Sequence, residues 1–381
     1  MLSVPRYALK LVVDRMSADD LCPIEWSRFL DRPVFTLGSS DWSNCIRGKN
    51  VLITGAAGSI GSALAMRLME ALPKTLILLD HSKHNLHRLY EAYKQRNVIF
   101  PRVEFVQVDI LCQSRLEKIF SQYRPEIVFH TAAMKHLVGL ESDPFLALEN
   151  NLLGTIRLLQ MIDGSEVECL VNVSTDKAVN PTNVLGVTKR ITELLLLGIE
   201  SHTCKISVRL GNVLGSSGSV GRLFLQSLRN RLPLTITDVQ ASRYFVTLEE
   251  AADFLIASSS LSGSALLLPE MGKPRSIIEL ASFLEHQLKF TKSNDVNFIG
   301  LYDGEKRFEQ LTYDHEFLKR TSVDGLDQVC GNTIDDGEEF SNLLGRLLEL
   351  IFSRSRGDII GLLMGLVPEF SPSRTLLRCL D

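Results

Sequence analysis

NVLITGAAGSIGSALAMRLMEALPKTLILLD, residues 50–80, decides how the rest of the 381-residue chain is read. Val51-Leu52-Ile53 is a short continuous apolar run, the pattern of a strand buried on both faces of a parallel sheet. Gly55-Ala56-Ala57-Gly58-Ser59-Ile60-Gly61 follows at once, and an apolar-periodic helix extends from Ile60 to Leu72. Glycines permit a tight turn here, and the helix start offers unpaired N–H groups and a positive dipole end to a pyrophosphate. A second strand, Thr75–Leu79, ends in Asp80, 19 residues beyond Gly61 and near the spacing at which a carboxylate grips an adenosine ribose. A glycine trio alone is common in turns. Set between a strand and a helix, with this acid behind it, it predicts a dinucleotide site contacted by Gly55, Gly58, Ser59, Ile60, Gly61 and Asp80. A carboxylate at position 80 repels a 2′-phosphate, so NAD is the expected cofactor, with Lys83, His84 and Arg88 close enough to soften that preference over NADP.

Outward from this unit the strand–helix alternation continues. Val103–Val108 reads as a strand ending in Asp109 and Ile110, Ser114–Tyr123 as a helix, and Ile127–His130 as a strand running into Thr131-Ala132-Ala133. Asp109, Ile110, Ala132 and Ala133 join the expected cofactor site, since ligands lie outside the carboxyl ends of such strands. The fold class is therefore α/β: a Rossmann-type doubly wound parallel sheet with a smaller C-terminal substrate-binding portion. Residues 1–49, in which 21–35 mixes apolar residues with Pro23 and Pro33, read as an arm packed on the main body. Residues 50–260 read as the NAD-binding domain, 261–330 as the substrate-binding portion and 331–381 as a helical tail. In that tail 335–339 reads as an acidic linker and Leu343–Val367 as one or two amphipathic helices stopped by Pro368.

Composition excludes several classes. A net charge of −4 gives no basic field for nucleic acid or an anionic membrane. Seven scattered cysteines without a C-x-x-C pair suit a reducing, cytoplasmic setting and no metal. The longest apolar runs fall short of the ~20 residues needed to span a bilayer.

The second informative stretch is VNVSTDKAVNPTNVLGVTKR, residues 171–190. An apolar strand runs into Ser174-Thr175-Asp176-Lys177, hydroxyl, acid and amine together where a parallel strand ends. A loop through Asn180-Pro181 leads to Thr182 as the expected N-cap of a helix over 184–199, which carries Leu185 and Lys189. Its Leu194–Leu197 run is apolar on more than one face, so it must be buried on two sides. A homo-oligomer contact through this helix is expected, with deep burial inside one chain as the alternative. Downstream, a Gly/Ser/Asn loop over 211–219 offers backbone donors to a diphosphate, and Thr247/Glu250 and Ser276/Glu279 form two capping-box patterns.

With these residues set out, the chain resembles the CapD-type polysaccharide biosynthesis proteins of the extended short-chain dehydrogenase/reductase superfamily. TGAAGSIGS (54–62), AAMKHLVGLE (132–141), STDKAVNPTNVLGVTKR (174–190), VRLGNVLGSSGSV (208–220) and SRYFVTLEEA (242–251) carry the resemblance, which runs from about residue 32 to 309. It implies a UDP-N-acetylglucosamine 4,6-dehydratase with bound NAD. By that resemblance Lys177 is the base at C5, its pKa lowered by burial beside the nicotinamide and Lys189, and Asp176 is the acid at the C6 oxygen. Thr175 hydrogen-bonds the sugar and Lys189 holds the nicotinamide ribose, while Lys135, His136, Glu141, Asn183, Asn212 and Arg243 are the substrate contacts. Two positions depart from the pattern. Leu185 stands where most short-chain dehydrogenases have a proton-carrying tyrosine and the large CapD-type enzymes have methionine, which passes the O4 proton to Asp176. Tyr302-Asp303 stands where most relatives have an arginine–proline pair that grips the diphosphate. A 5-epimerase or ketosugar reductase of the same fold, and a non-catalytic NAD-binding protein, remain open beside the dehydratase.

Overall fold

The computed structural model describes residues 24–38, 43–95, 102–288, 294–332 and 336–380. The expected arm residues 1–23 and 39–42, and Asp335 of the expected linker, lie outside the described residues.

Among the described residues nine strands form the main sheet: β1 (Asn50–Thr54), β2 (Thr75–Asp80), β3 (Arg102–Gln107), β4 (Ile127–His130), β5 (Cys169–Thr175), β6 (Cys204–Leu210), β7 (Ala265–Pro269), β8 (Phe317–Arg320) and β9 (Leu326–Cys330). Their spatial order is β8-β9-β7-β6-β5-β4-β1-β2-β3. Pairing is parallel from β3 through β7 and antiparallel from β7 to β9 and β8. The order reverses between β1 and β4, which opens a crevice at their carboxyl ends. The sheet thus runs past residue 260, where the sequence reading ended the dinucleotide domain: β7 adds one more parallel strand and β9 and β8 extend the same edge.

Side-chain alternation explains the burial of both faces. Val51 and Ile53 of β1 and Leu76 and Leu78 of β2 pack under helices Ser59–Leu68 and Leu248–Ser258. Leu52, Ile77 and Leu79 face the other way, against Leu116, Ile119, Phe120 and Leu158. The described part of the arm packs Phe29 and Leu30 beside Phe245 and Leu280, and Arg32 forms an ion pair with Glu250.

Both apolar faces of the helix Val184–Gly198 are buried inside the chain. Leu196 turns to the sheet side, while Val184, Val187, Ile191, Leu194 and Leu195 meet Phe340, Leu347, Ile351, Leu362, Leu363 and Leu366 of the C-terminal helices Gly337–Ser353 and Ile359–Leu366. The sequence-level reason for placing a subunit contact here is thereby removed, because the tail supplies the second apolar layer. The expected linker is also corrected. Asp336 caps the first tail helix through the N–H groups of Glu338 and Glu339, and those two acids sit in its first turn, where the helix dipole favours them. No helix among the described residues is long and apolar enough to cross a membrane.

Candidate active site

The turn after β1 is built for close approach. Gly55 has φ +65°, and a Cβ there would lie 2.6 Å from the backbone of Ala132. A Cβ on Gly61 would lie 2.2 Å from the Gly55 carbonyl oxygen. The helix that follows has no side-chain cap, so its leading N–H groups remain for a ligand. Asp80 accepts from the Ala57 N–H at 3.0 Å and the Ser82 N–H at 2.8 Å, which fixes its carboxylate beside that turn. Thr131 donates to the carbonyls of Thr54 and Gly55 and closes the floor. Ile110 is buried at the edge, where a Cβ on Gly154 would touch it at 2.5 Å, and Asp109 accepts from the Leu111 N–H. An uncapped helix start, glycines with no room for side chains and an oriented carboxylate together fit a dinucleotide. Among the described residues there is no cluster of His, Cys, Asp or Glu suited to a metal.

At the carboxyl end of β5 the chain makes one tight turn, Asp176–Ala178. Lys177 Nζ lies 2.9 Å from Asp176 Oδ1 and 3.0 Å from Asn212 Oδ1, with Glu309 Oε1 at 3.6 Å. Thr175 Oγ1 donates to the same Asp176 oxygen at 3.0 Å. Asp176 is fully buried, and its Oδ2 has no hydrogen-bond partner among the described residues. That atom is an acceptor held ready and desolvated. Burial pushes Lys177 down, but Asp176 and Glu309 outweigh it, so the amine stands above its ordinary value. This corrects the expectation of a lowered Lys177. Lys189 is lowered instead: burial takes it to about 8 despite Glu193, and its Nζ donates to the Val173 carbonyl at 2.8 Å. His130 bridges Thr54 and Thr155 through its two ring nitrogens, and burial together with Lys189 holds it neutral, at about 3.

The helix carrying Leu185 and Lys189 approaches the Asp176–Ala178 turn through Gly186, where a Cβ would sit 2.2 Å from the Lys177 carbonyl oxygen. Leu185 is buried among the tail's neighbours and can move no proton. The cap of this helix is Asn183, not Thr182: Asn183 Oδ1 accepts from the Gly186 N–H at 2.8 Å, while Thr182 Oγ1 donates to the Gly304 carbonyl.

The structure draws Thr175, Asp176, Lys177 and Asn212 together, and sets the other expected substrate residues at different tasks. Lys135 donates to Ser216 Oγ, and the His136 ring lies over Gly218, so both face the 211–219 loop. That loop reaches the cofactor helix through the Ser217 N–H, which donates to Ser59 Oγ. Glu141 is buried and accepts from the Val184 N–H and the Ser373 hydroxyl, anchoring the tail. Asn183 spends its amide group on the Gly304 carbonyl. The Arg243 guanidinium pairs with Glu305 at 2.6 Å and donates to the carbonyls of Ser242 and Arg307. Glu309 was not singled out from sequence. It lies six residues beyond the Tyr302-Asp303 departure, at the end of the stretch that carries the resemblance.

A profile of the polysaccharide biosynthesis protein family matches residues 51–329. The chain belongs to that family. The probable polysaccharide biosynthesis protein EpsC of Bacillus subtilis is 35% identical over 314 residues, 81% of this chain and 52% of its own length. The chain thus spans about half the length of the curated relatives it matches. Among solved structures, Pen from Bacillus thuringiensis superposes with a TM-score of 0.67 at 28% identity, covering 79% of this chain and 98% of that one. The UDP-glucose 4-epimerase of Thermus thermophilus, solved as a complex with NAD, gives 0.58 at 25% identity, over 69% and 90%. The fold is that of the extended short-chain dehydrogenase/reductases, with the Rossmann-type sheet at its centre.

Proposed function

We propose that the chain is an NAD-dependent nucleotide-sugar 4,6-dehydratase acting on UDP-N-acetylglucosamine or a close UDP-sugar. The observation that carries this reading is the buried contact between Asp176 and Lys177 at the end of β5, with Leu185 where a proton-carrying tyrosine is usual. An acid and an amine adjacent to one crevice supply the two proton functions that dehydration needs, without the tyrosine. Bound NAD would be held by the Gly55–Gly61 turn, Asp80, Ala132 and Lys189, and would supply the hydride acceptor for C4 and donor for C6. The Asp176 carboxylate takes the O4 proton and later delivers it to the departing C6 hydroxyl, which leaves as water. Lys177, as a neutral amine, removes the C5 proton made acidic by the 4-ketone and then returns it. Thr175 donates to Asp176 Oδ1, which leaves Oδ2 as the atom free to work.

The test is to incubate the purified protein with UDP-N-acetylglucosamine and follow a 4-keto-6-deoxy product by mass and NMR. An epimerised sugar of unchanged mass would move the assignment to the epimerase reading. Cofactor binding with neither product nor C5 exchange would leave the non-catalytic reading, which the engagement of Arg243 with Glu305 favours, since that arginine is then not free for a diphosphate.

A further inference from the structure

Proton counting at Lys177 leaves one proton without a destination among the residues already assigned a role. In the resting site the lysine faces two carboxylates, Asp176 and Glu309, and is held charged between them. The dehydratase reading, on which this inference rests, requires a neutral Lys177 at the moment Asp176 already holds the O4 proton. Asp176 therefore cannot receive the lysine's own proton. The other groups around the amine are Asn212, whose amide oxygen is no base, and the cations Arg243 and Lys306. Glu309 remains. It is nearly buried, its Oε1 is 3.6 Å from Lys177 Nζ, and among the described residues its Oε2 has no hydrogen-bond donor, with Lys306 Nζ at 3.6 Å. Lys306 is itself tied to the Val179 carbonyl at 2.6 Å, so it steadies Glu309 without occupying it.

We propose that Glu309 is a positioning residue that takes up the resting proton of Lys177, so that the lysine meets C5 as a free amine. The ledger closes. The Lys177 ammonium and the Glu309 carboxylate become amine and carboxylic acid. The amine takes the C5 proton and gives it back, and the carboxylic acid then returns the stored proton to the lysine. The O4 proton travels separately, through Asp176 to the leaving water.

The experiment compares wild type with the isosteric Glu309→Gln. Its first readout is independent of turnover: competitive acylation of Lys177 with a small amine reagent across pH, read by peptide mass spectrometry. With an anion gone, the Lys177 labelling midpoint in Glu309→Gln shifts to lower pH. Equal midpoints overturn the proposal whatever the activity. The second readout is solvent-deuterium exchange at C5 of UDP-N-acetylglucosamine. Wild type exchanges with little pH dependence between pH 6 and pH 9. Glu309→Gln loses at least about 10-fold at pH 6, a modest part of what a positioned base contributes, and recovers as pH rises with a midpoint no higher than the labelling midpoint, because Asp176 is already protonated at that step. Glu309→Asp, which keeps a carboxylate, restores the flat profile in part. A loss in Glu309→Gln that is equal at every pH marks a structural role and overturns the proposal. If wild type shows no exchange at all, the dehydratase reading falls, and the labelling midpoints alone decide the coupling of Glu309 to Lys177.

Discussion

Asp176 and Lys177 carry different protons, so their substitutions should fail in different ways. Lys177→Met leaves C4 oxidation in place and blocks C5 deprotonation: reduced-nicotinamide absorbance accumulates in a single turnover and no deuterium enters C5. Asp176→Asn keeps the shape but cannot take the O4 proton, so the reaction stops earlier with little absorbance change. Each loss is expected to be at least about 100-fold, and C5 exchange in Lys177→Met at the wild-type rate would remove the base role from Lys177. His130 makes a pH prediction. Its folded value of about 3 lies below the ordinary 6.5, so between these values the unfolded chain binds a proton that the folded chain does not. Stability therefore falls as pH drops through that window, by about 2 kcal/mol from pH 7 to pH 5 for this one group. Urea midpoints at pH 7 and pH 5 should separate less in His130→Gln than in wild type. The residues legible in sequence were those at strand ends beside glycines or polar turns, such as Asp80 and Asp176. Glu309 was not, because it arrives from a loop without periodicity and its partner Lys177 is remote in the chain.

At the scale of elements, the helix Val184–Gly198 and the turn Asp176–Ala178 share one contact with no slack, at Gly186. Helix propensity alone predicts that Gly186→Ala stabilises by about 1 kcal/mol. The structure predicts the opposite sign, a loss of about 1–3 kcal/mol from overpacking against the Lys177 carbonyl, with product formation falling while NAD stays bound. Thermal unfolding together with a cofactor-release assay checks both. Behind the same turn lies a buried cluster. Arg209 pairs with Glu193 at 2.8 Å and Glu316 at 2.6 Å, Ser174 donates to Glu193, and Arg190 stacks over Tyr313, whose hydroxyl donates to the Ala178 carbonyl. Arg209→Met would leave two carboxylates buried without their main partner, a cost of about 3–5 kcal/mol by denaturant unfolding. Strands β1 to β5 and both capping boxes were readable from apolar runs and from Thr247/Glu250 and Ser276/Glu279, while β7, β8 and β9 were not, because the strand–helix alternation weakens beyond residue 260. The cap at Asn183 was not, since Thr182 and Asn183 are both good caps. Which one serves depends on the Gly304 carbonyl recruiting the threonine hydroxyl.

At the scale of the whole molecule, the tail decides what the apolar helix faces mean. The sequence required Val184–Gly198 to be buried on two sides, and that requirement holds; what pattern alone could not say is whether the second layer comes from another copy or from residues 337–366 of the same chain. The tail also reaches the active site. Glu141 accepts from Ser373, the Ser371 N–H donates to the Pro181 carbonyl, and Asp303 accepts from the Thr375 N–H, so three contacts connect residues 371–375 to the helix Leu137–Ser142 and to the loops at Pro181 and Asp303. Leu363 is fully buried in the apolar cluster that packs the tail helices on Val184–Gly198. Leu363→Glu would place an unpaired charge there, which costs several kcal/mol, on the order of 3–5 by analogy with broken buried pairs. The expected result is an undocked tail: faster proteolytic cleavage between residues 336 and 358, concentration-dependent self-association in sedimentation as Leu194 and Leu195 become exposed, and reduced product formation with the Gly55–Gly61 cofactor turn still able to bind NAD. A cleavage rate equal to wild type, with sedimentation unchanged, would show that the tail does not shield this helix in solution.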